Sequence, residues 1–313
     1  MANDRLVTVF GGGGFLGRYV AQELLRAGVR VRIAERHPTD ALRVKPLGSL
    51  GQTQLVAADV TKPESVARAV EGADVVINLV GILNGAFDAV QRVGAGNVAQ
   101  AAARAGATAL VHISAIGADT ESASGYGRSK GEGEAAVRAA FPNATIIRPS
   151  IVFGREDQFL NRFAGLIRMA PIVPIIAGET KFQPVYVVDV ARAIGTAALD
   201  AAQFGGKSFE LGGPQVLSME QINHWIAGRT GHSPAFVPLP AFASCALATA
   251  TGWAPGAPIT RDQWAMLQKD NVVAAGAQGL AAFGITPTPM AAVADAWLVQ
   301  YRKHGRFGTR VKA

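Results

Sequence analysis

Short apolar runs alternate with longer stretches of helical period along the first half of the chain. Val7, Val9 and Phe10 make the first such run, partly β-branched, as a strand buried on both faces requires. Four glycines follow, and then Val20, Leu24 and Leu25 recur at helical spacing, with Gly28 where a helix C-terminus belongs. Further strands are predicted at 29–34, 54–58, 74–80, 108–113 and 144–147. Between them Thr61-x-x-Glu64 reads as a capping box opening a helix, 87–104 as one helix rich in Ala and Val, and another helix runs up to Phe141. Strands alternating with helices in this way predict an α/β fold with a doubly wound parallel sheet.

Beyond Gly154 the alternation stops. Pro171, Pro174 and Pro184 interrupt apolar runs, which predicts a smaller, mixed C-terminal lobe. Residues 185–188 read as one more sheet strand, with Asp189 capping a helix through Leu199. Ser218, and then Thr260 with Asp262, open two more helices, and 288–301 reads as a last one. The expected boundaries are an N-terminal domain over 1–155, to which 184–203 returns, and a lobe made of 156–183 and 204–313. Within that lobe 167–177 and 235–253 are rich in small and apolar residues, as core and lid would be. The alternative is a site for a hydrophobic substrate or a contact with a membrane surface. Arg162, flanked by Asn161 and Phe163, is a candidate to face a cleft there.

The first strand–turn–helix carries the most informative motif. Counted as Gly11-x-x-Gly14-x-x-Gly17 or Gly12-x-Gly14-x-x-Gly17, it has the spacing and the context in which backbone N–H groups at a helix start receive a pyrophosphate. Gly11 suits the tight turn, Gly14 the approach of phosphates, and Gly17 the packing of helix on strand, so the sheet is expected to be Rossmann-like. Glu35 lies 24 residues past Gly11, close to where an acidic side chain accepts hydrogen bonds from an adenosine ribose. Arg36 follows, suited to a 2′-phosphate. Glu35 favours NAD and Arg36 favours NADP. Asp59, at the end of the third strand, is suited to an adenine edge.

Tyr126-Gly-Arg-Ser-Lys130 is the second motif. Four apart on a helix, the two side chains share a face, and an ammonium beside a phenol favours the phenolate needed for acid–base work. Together these stretches resemble the extended or atypical short-chain dehydrogenases/reductases, of the NAD-dependent epimerase/dehydratase kind. Within them the chain is most similar to the branch containing the nucleotide-binding accessory subunit of respiratory complex I and its bacterial relatives. Besides the glycine turn, the residues carrying the resemblance are Ile77 to Gly81, His112 to Ala115, Tyr126 to Lys130, Ile147 to Ser150 with Val152 to Gly154, Asp157 to Phe163, Gln183 to Val190 and Pro258 to Val272.

That resemblance implies catalytic roles for Tyr126, Lys130 and Ser114, and cofactor contacts from Gly11, Gly14, Gly17, Arg36, Asp59, Val60, Tyr126, Lys130 and Pro149. Gly12, Phe15, Leu16, Glu35, Leu79, Val80, Gly81, Ser114 and Ser150 complete the candidate set. It implies NADP(H) by a narrow preference over NAD(H), and a quinone-related or other hydrophobic carbonyl substrate. One departure matters. Active relatives place a hydroxyl two positions beyond the first serine after the fifth strand, and here Ile116 stands at that point. A missing oxyanion donor costs about 10²–10³ in rate. Ser114, Ser122 and Ser124 are the nearest hydroxyls, so the alternative is a catalytically weak accessory or assembly protein of complex I that keeps its nucleotide as a structural element.

Composition narrows the classes. The 313 residues are 49% hydrophobic with a single cysteine, Cys245, so no internal disulfide and no multi-cysteine metal site is expected. His37, His112, His224, His232 and His304 have no metal-ligand spacing. The stretch MANDRLVTVF lacks the pattern of a secretory signal, and no uncharged apolar run of about 18 residues is free of helix breakers, so a cytoplasmic protein is expected, peripheral to a membrane at most. Net charge is +7 and gathers partly at Arg302, Lys303, Arg306, Arg310 and Lys312. That cluster reads as a solvated terminus, or as a docking element for an acidic respiratory-chain partner or an anionic membrane surface. Without aromatic–basic interleaving, nucleic acid is not expected as a partner.

Overall fold

A computed structural model describes residues 4–252, 254, 259–303 and 305; Trp253, Pro258, His304, Arg306, Arg310 and Lys312 lie outside the described residues. In chain order the elements begin β1 (Leu6–Phe10), α1 (Phe15–Arg26), β2 (Arg30–Glu35), β3 (Thr53–Ala57), α2 (Pro63–Val70) and β4 (Val75–Asn78). A π-helical turn, Asp88–Val93, runs into α3 (Gly94–Arg104), followed by β5 (Ala109–Ile113), α4 (Gly125–Ala140) and β6 (Thr145–Pro149). Then come β7 (Val152–Phe153), α5 (Leu160–Met169), β8 (Ile172–Ile175), β9 (Lys181–Phe182), β10 (Val185–Tyr186), α6 (Val187–Leu199), α7 (Ala201–Phe204) and β11 (Ser208–Leu211). The chain closes through β12 (Leu217–Ser218), α8 (Met219–Thr230), β13 (Ala235–Pro238), α9 (Ala241–Thr251), α10 (Arg261–Met266), α11 (Met290–Val293) and α12 (Asp295–Leu298).

The first of two units comprises Met1–Pro149, Val187–Leu211 and Ala274–Thr286. Its sheet has the order β11-β6-β5-β4-β1-β2-β3, with every pair parallel. Val9 lies between Ile33 on β2 and Ile77 on β4. The order therefore reverses at the β1/β4 junction, the switch point at which open α/β sheets bind ligands beyond their strand C-termini. Burial on both faces explains the apolar strands: β4 and β5 are buried throughout. Over them α3 packs Ala95, Val98, Ala99 and Ala102 against Phe10, Val76, Leu110 and Ile146.

In α4 the small residues have a positional purpose. A Cβ on Gly131 would lie 2.6 Å from the backbone of Asp119 and Thr120, and one on Gly133 2.2 Å from the Gln91 carbonyl oxygen. The expected helix over 87–104 is helical throughout, with its first turns widened to a π turn at Asp88–Val93, and it is in this turn that the Gln91 carbonyl meets Gly133. On the same helix Glu134 accepts from Arg148 through both carboxylate oxygens, at 2.8 and 2.6 Å, tying α4 to β6.

The second unit comprises Ser150–Tyr186, Gly212–Val273 and Pro287–Ala313. It holds three two-stranded sheets, β7/β10 and β8/β13 parallel and β9/β12 antiparallel. Its core gathers Phe153, Leu160, Ile167, Ile222, Ile226, Trp297 and Leu298. Ser218 and Thr260 open α8 and α10 as expected, and each does so through a full capping box, with Gln221 and Gln263, that the sequence reading had not named.

Several local expectations are corrected. Residues 185–188 do not join the main sheet: behind Pro184, which has no N–H to give a ladder, only Val185 and Tyr186 pair, with β7, and the seventh main strand is β11. Asp189 lies inside the first turn of α6 rather than at its cap. The Thr61/Glu64 capping box is not made; the Thr61 hydroxyl bonds Asp59 instead, and the helix starts at Pro63. The last expected helix is three short turns, Met290–Val293, Asp295–Leu298 and Val299–Tyr301, with Ala294 in helical conformation between the first two and Met290, Ala294, Trp297 and Leu298 sharing one buried face at helical spacing.

The Glu134–Arg148 pair gives a direct test. With Glu134 buried, Glu134→Ala is expected to leave a half-buried guanidinium with only Glu210, 3.5 Å away, and to cost about 2 kcal/mol in urea unfolding.

Candidate functional site

The site is built where β1 ends. Gly11 has φ +78°, a conformation in which an L side chain is strained, and its N–H donates to the Ala34 carbonyl at 3.2 Å. The chain turns at once, Gly14 N–H donating to the Gly11 carbonyl at 3.2 Å. Gly14 is the residue before α1, and no side chain caps the helix. A Cβ on Gly17 would lie 2.2 Å from the Gly11 oxygen and 2.5 Å from the Gly12 Cα, so only glycine lets the helix start this close to the strand. The first N–H groups of α1, at Phe15, Leu16 and Gly17, thus open beside the switch point with no side-chain acceptor, the arrangement that receives anions.

Glu35, at the end of β2, accepts the Gly13 N–H at 2.7 Å. Burial raises its carboxyl above the ordinary value, and that hydrogen bond and the positive charge of Arg36 pull it back in part. Arg36 is exposed and its charge also favours ionised Asp59. Asp59 is held below the usual carboxylate range mainly by the Thr61 hydroxyl, at 2.8 Å, and Val60 gives its carbonyl to Asn97 at 2.9 Å.

On the other side of the switch point, Asn78 lies buried at the end of β4. Its Oδ1 accepts the Val80 N–H at 3.1 Å, and its Nδ2 lies 3.3 Å from His112 Nδ1 on β5. That bond shapes Leu79 and Val80 against Gly11, whose added Cβ would meet both at 3.4 Å. Full burial lowers His112 to about 3, so its ring is neutral at physiological pH.

Lys130 on α4 reaches back under this turn. Its Nζ donates to the Ile113 carbonyl at 3.0 Å and would lie 3.1 Å from a Cβ on Gly81. Desolvation lowers it to about 8, with Glu134 offsetting part of the effect. Tyr126 is half-buried on the same helix, edge-on to Phe87 at 6.1 Å. Here the sequence expectation is corrected: burial pushes the phenol up to about 12 rather than Lys130 drawing it down. Ser124 caps α4 by accepting the Gly127 N–H at 3.2 Å, which accounts for one of the nearby hydroxyls.

Ser114 is buried at the end of β5, and its hydroxyl has no hydrogen-bond partner among the described residues. Ile116 stands two positions on, its N–H donating to the Pro149 carbonyl at 3.1 Å. Ser150 belongs to the second unit, where its hydroxyl contacts Asn271 Oδ1 at 2.7 Å and accepts the Gln183 N–H at 3.2 Å. One structural residue escaped the sequence reading. Gln91 donates to Ser129 Oγ at 2.8 Å, and Ser129 donates to the Tyr126 carbonyl at 2.9 Å. Only the π turn aims Gln91 this way, and no spacing rule signals it.

Residues 7–212 match the model of the NAD dependent epimerase/dehydratase family, a family of NAD(P)-dependent proteins, and the chain belongs to it. It is 37% identical over 293 residues to NADH dehydrogenase [ubiquinone] 1 alpha subcomplex subunit 9, mitochondrial, of Mus musculus, covering 91% of this chain and 77% of that one. It is 32% identical over 200 residues to a protein named ceramide reductase in Caulobacter vibrioides, covering 62% of each. Among solved structures, the NADPH-dependent quinone oxidoreductase of Escherichia coli complexed with NADPH superposes with a TM-score of 0.74 at 19% identity, over 93% of this chain and 99% of that one. This last likeness concerns the fold.

The neutral His112 makes a pH prediction. The unfolded chain takes up a proton near 6.5, whereas the folded one does so only near 3, so stability is lost as pH falls through that window. His112→Gln is expected to shrink the drop in melting temperature between about pH 7 and pH 4, measured by calorimetry against the wild type.

Proposed function

We propose that the first unit binds a nicotinamide dinucleotide, and that the chain is an oxidoreductase-like protein reducing a quinone-related or other hydrophobic carbonyl, with weak turnover. One observation carries the reading: at the β1/β4 switch point an uncapped helix start, kept open by Gly11 and Gly17, occurs together with a buried lysine and a buried hydroxyl that has no partner among the described residues. Buried polar atoms are ordinarily satisfied, so the Ser114 hydroxyl is a group left for a ligand. These residues fit the dinucleotide that the family uses.

Phe15, Leu16 and Gly17 would hold the pyrophosphate through backbone N–H groups, with Gly14 leaving it room and Gly12 kept bare by Ile33, which would lie 2.6 Å from a Cβ there. Glu35 and Arg36 would face the adenosine ribose, and Asp59 with Val60 the adenine. Leu79, Val80, Gly81 and Pro149 would flank the remainder, with Lys130 donating to a ribose hydroxyl. The cofactor, when bound, supplies the hydride. Tyr126 would pass the phenol proton to the substrate oxygen while the Ser114 hydroxyl donates to the same oxygen. A phenol near 12 is a poor acid at neutral pH, and Ile116 has no hydrogen to give, which is why turnover is expected to be slow.

The preference for NADP(H) is expected to be narrow. Arg36 supplies the guanidinium a 2′-phosphate requires. Glu35 sets a carboxylate beside the same ribose, anchored on Gly13, and opposes that phosphate. A second reading is supported by Ile116 and by the relatives named as complex I subunits: an accessory or assembly protein of the respiratory chain that keeps the nucleotide as a structural element. The two readings share the cofactor and differ over turnover.

At saturating concentration either dinucleotide is expected to raise the melting temperature by about 5 °C. No shift with NADPH or NADH would end the proposal. Arg36→Ala should weaken NADPH about tenfold and spare NADH, while Glu35→Ser should move the ratio towards NADPH. Oxidation of NADPH by a short-chain quinone, lost in Tyr126→Phe with binding retained, would favour the enzyme over the accessory reading.

A further inference from the structure

The second unit keeps an apolar face in water. Strands β8 and β13 pair in parallel, Ile172 opposite Ala235 and Pro174 opposite Val237. Val173 and Ile175 are buried beneath, yet all four residues on the opposite face are exposed and apolar. Solvent-facing sheet positions are ordinarily polar. Ile172 is 60% exposed, Val237 43%, and Met169 at the end of α5 74%. Directly beyond β13 comes α9, in which Ala241, Phe242, Cys245, Ala246 and Ala250 form an exposed stripe at helical spacing, Phe242 being 77% exposed. Thr249 adds a methyl and one hydroxyl to the same stripe. No charged residue occurs from Ser233 to Thr260.

The border of this face is basic. A hollow of about 720 Å³, lined by Arg168, Gly231, His232, Ser233, Arg302 and Lys303, opens where α5 passes to β8 and α8 passes to β13. Arg168 precedes Met169, and Ser233 lies two residues before Ala235. Arg168 lies 5.9 Å from the centre of the Tyr301 ring. Asp295 is the acidic group at this border, 3.9 Å from Arg302 and 3.5 Å from Arg229.

We propose that this unit docks on an anionic lipid surface, the apolar face of β8, β13 and α9 entering the headgroup boundary while Arg168 and Lys303 meet lipid phosphates. An apolar stripe rimmed by cations is the combination that holds a protein in the plane of an anionic bilayer. At 11 residues α9 is about 16 Å long, too short to cross the hydrocarbon, and among the described residues no helix is long and apolar enough to do so. A second copy is the poorer occupant, because a two-fold contact through this face would bring like charges together. The proposal involves no residue of the first unit and is independent of dinucleotide binding.

Cys245, the sole cysteine, lies on the exposed stripe and accepts a polarity-sensitive fluorophore. The labelled protein is expected to float with vesicles of equimolar phosphatidylcholine and phosphatidylglycerol but not of phosphatidylcholine alone, with blue-shifted emission and with binding that falls as salt is raised. The triple variant Ile172→Ser, Val237→Ser and Phe242→Ser, which keeps every charge, should bind about tenfold more weakly. Its circular dichroism and its thermal unfolding without ligand, compared with the wild type, report whether it is folded, and the label on the otherwise unaltered protein gives a readout that does not depend on the variant. The proposal is overturned by absence of flotation, by equal flotation on the neutral vesicles, by flotation without a change in emission, or by undiminished binding of the triple variant. A blue shift produced by dimerisation without lipid would assign the face to a second copy instead.

Discussion

The contact on which the first unit depends is one that contains no side chain. Gly17 passes so close to Gly11 and Gly12 that a single methyl group would overlap the Gly11 carbonyl oxygen. Because the helix can start that near the strand, its first N–H groups open at the mouth of the β1/α1 turn rather than over the body of the sheet. Leaving a helix without a side-chain cap costs about 1 kcal/mol, and the first turn of α1 has no acidic side chain to offset it. Such a cost is small against the apolar burial of Val20, Leu24 and Leu25, and it leaves donors for an anion. The same turn is gripped from both sides, by Glu35 on Gly13 and by the Asn78-shaped loop against Gly11.

Around this turn burial acts on the two titratable groups of α4 in opposite directions. It lowers Lys130 to about 8 and raises Tyr126 to about 12. A shared helix face was enough, in sequence, to expect the ammonium to assist the phenol. Sharing a face does not set how far each group is desolvated, nor whether the ammonium bonds a carbonyl instead. Here it bonds the Ile113 carbonyl. The resting protein therefore holds both protons at neutral pH, and acid–base activity depends on what a ligand adds to this surrounding.

What was legible in the sequence follows from the range of each interaction. The glycine turn, the parallel strands and the helix starts at Ser218 and Thr260 are decided within a few residues, and local pattern reveals them. The Thr61 capping box failed because Asp59, two residues away, offered the same hydroxyl a carboxylate. The seventh sheet strand, β11, was invisible because its partner β6 lies some sixty positions earlier, as the pairing of Ser208 with Ile146 requires. Nor could a pattern reveal the π turn, which exists to bring the Gln91 carbonyl against a glycine of another helix. Ile116 was legible as a missing hydroxyl. That Ser114 keeps a buried hydroxyl with no partner among the described residues required the packing of β5 to be known.

Glu35 and Arg36 show why adjacent residues of opposite charge need not cancel. The carboxylate is committed: it accepts the Gly13 N–H, so it also holds the glycine turn in shape, and its partial burial makes ionisation harder. Arg36 is exposed and can reorient at little cost. If the proposed reading holds, a 2′-phosphate arriving here would meet a fixed negative group and an adjustable positive one, whereas a 2′-hydroxyl would meet an acceptor already in place. Discrimination would then be a difference between a partly desolvated repulsion and a screened attraction. Removing the carboxylate would ease the repulsion but also release the turn, so the gain for a phosphate would be smaller than its charge alone implies.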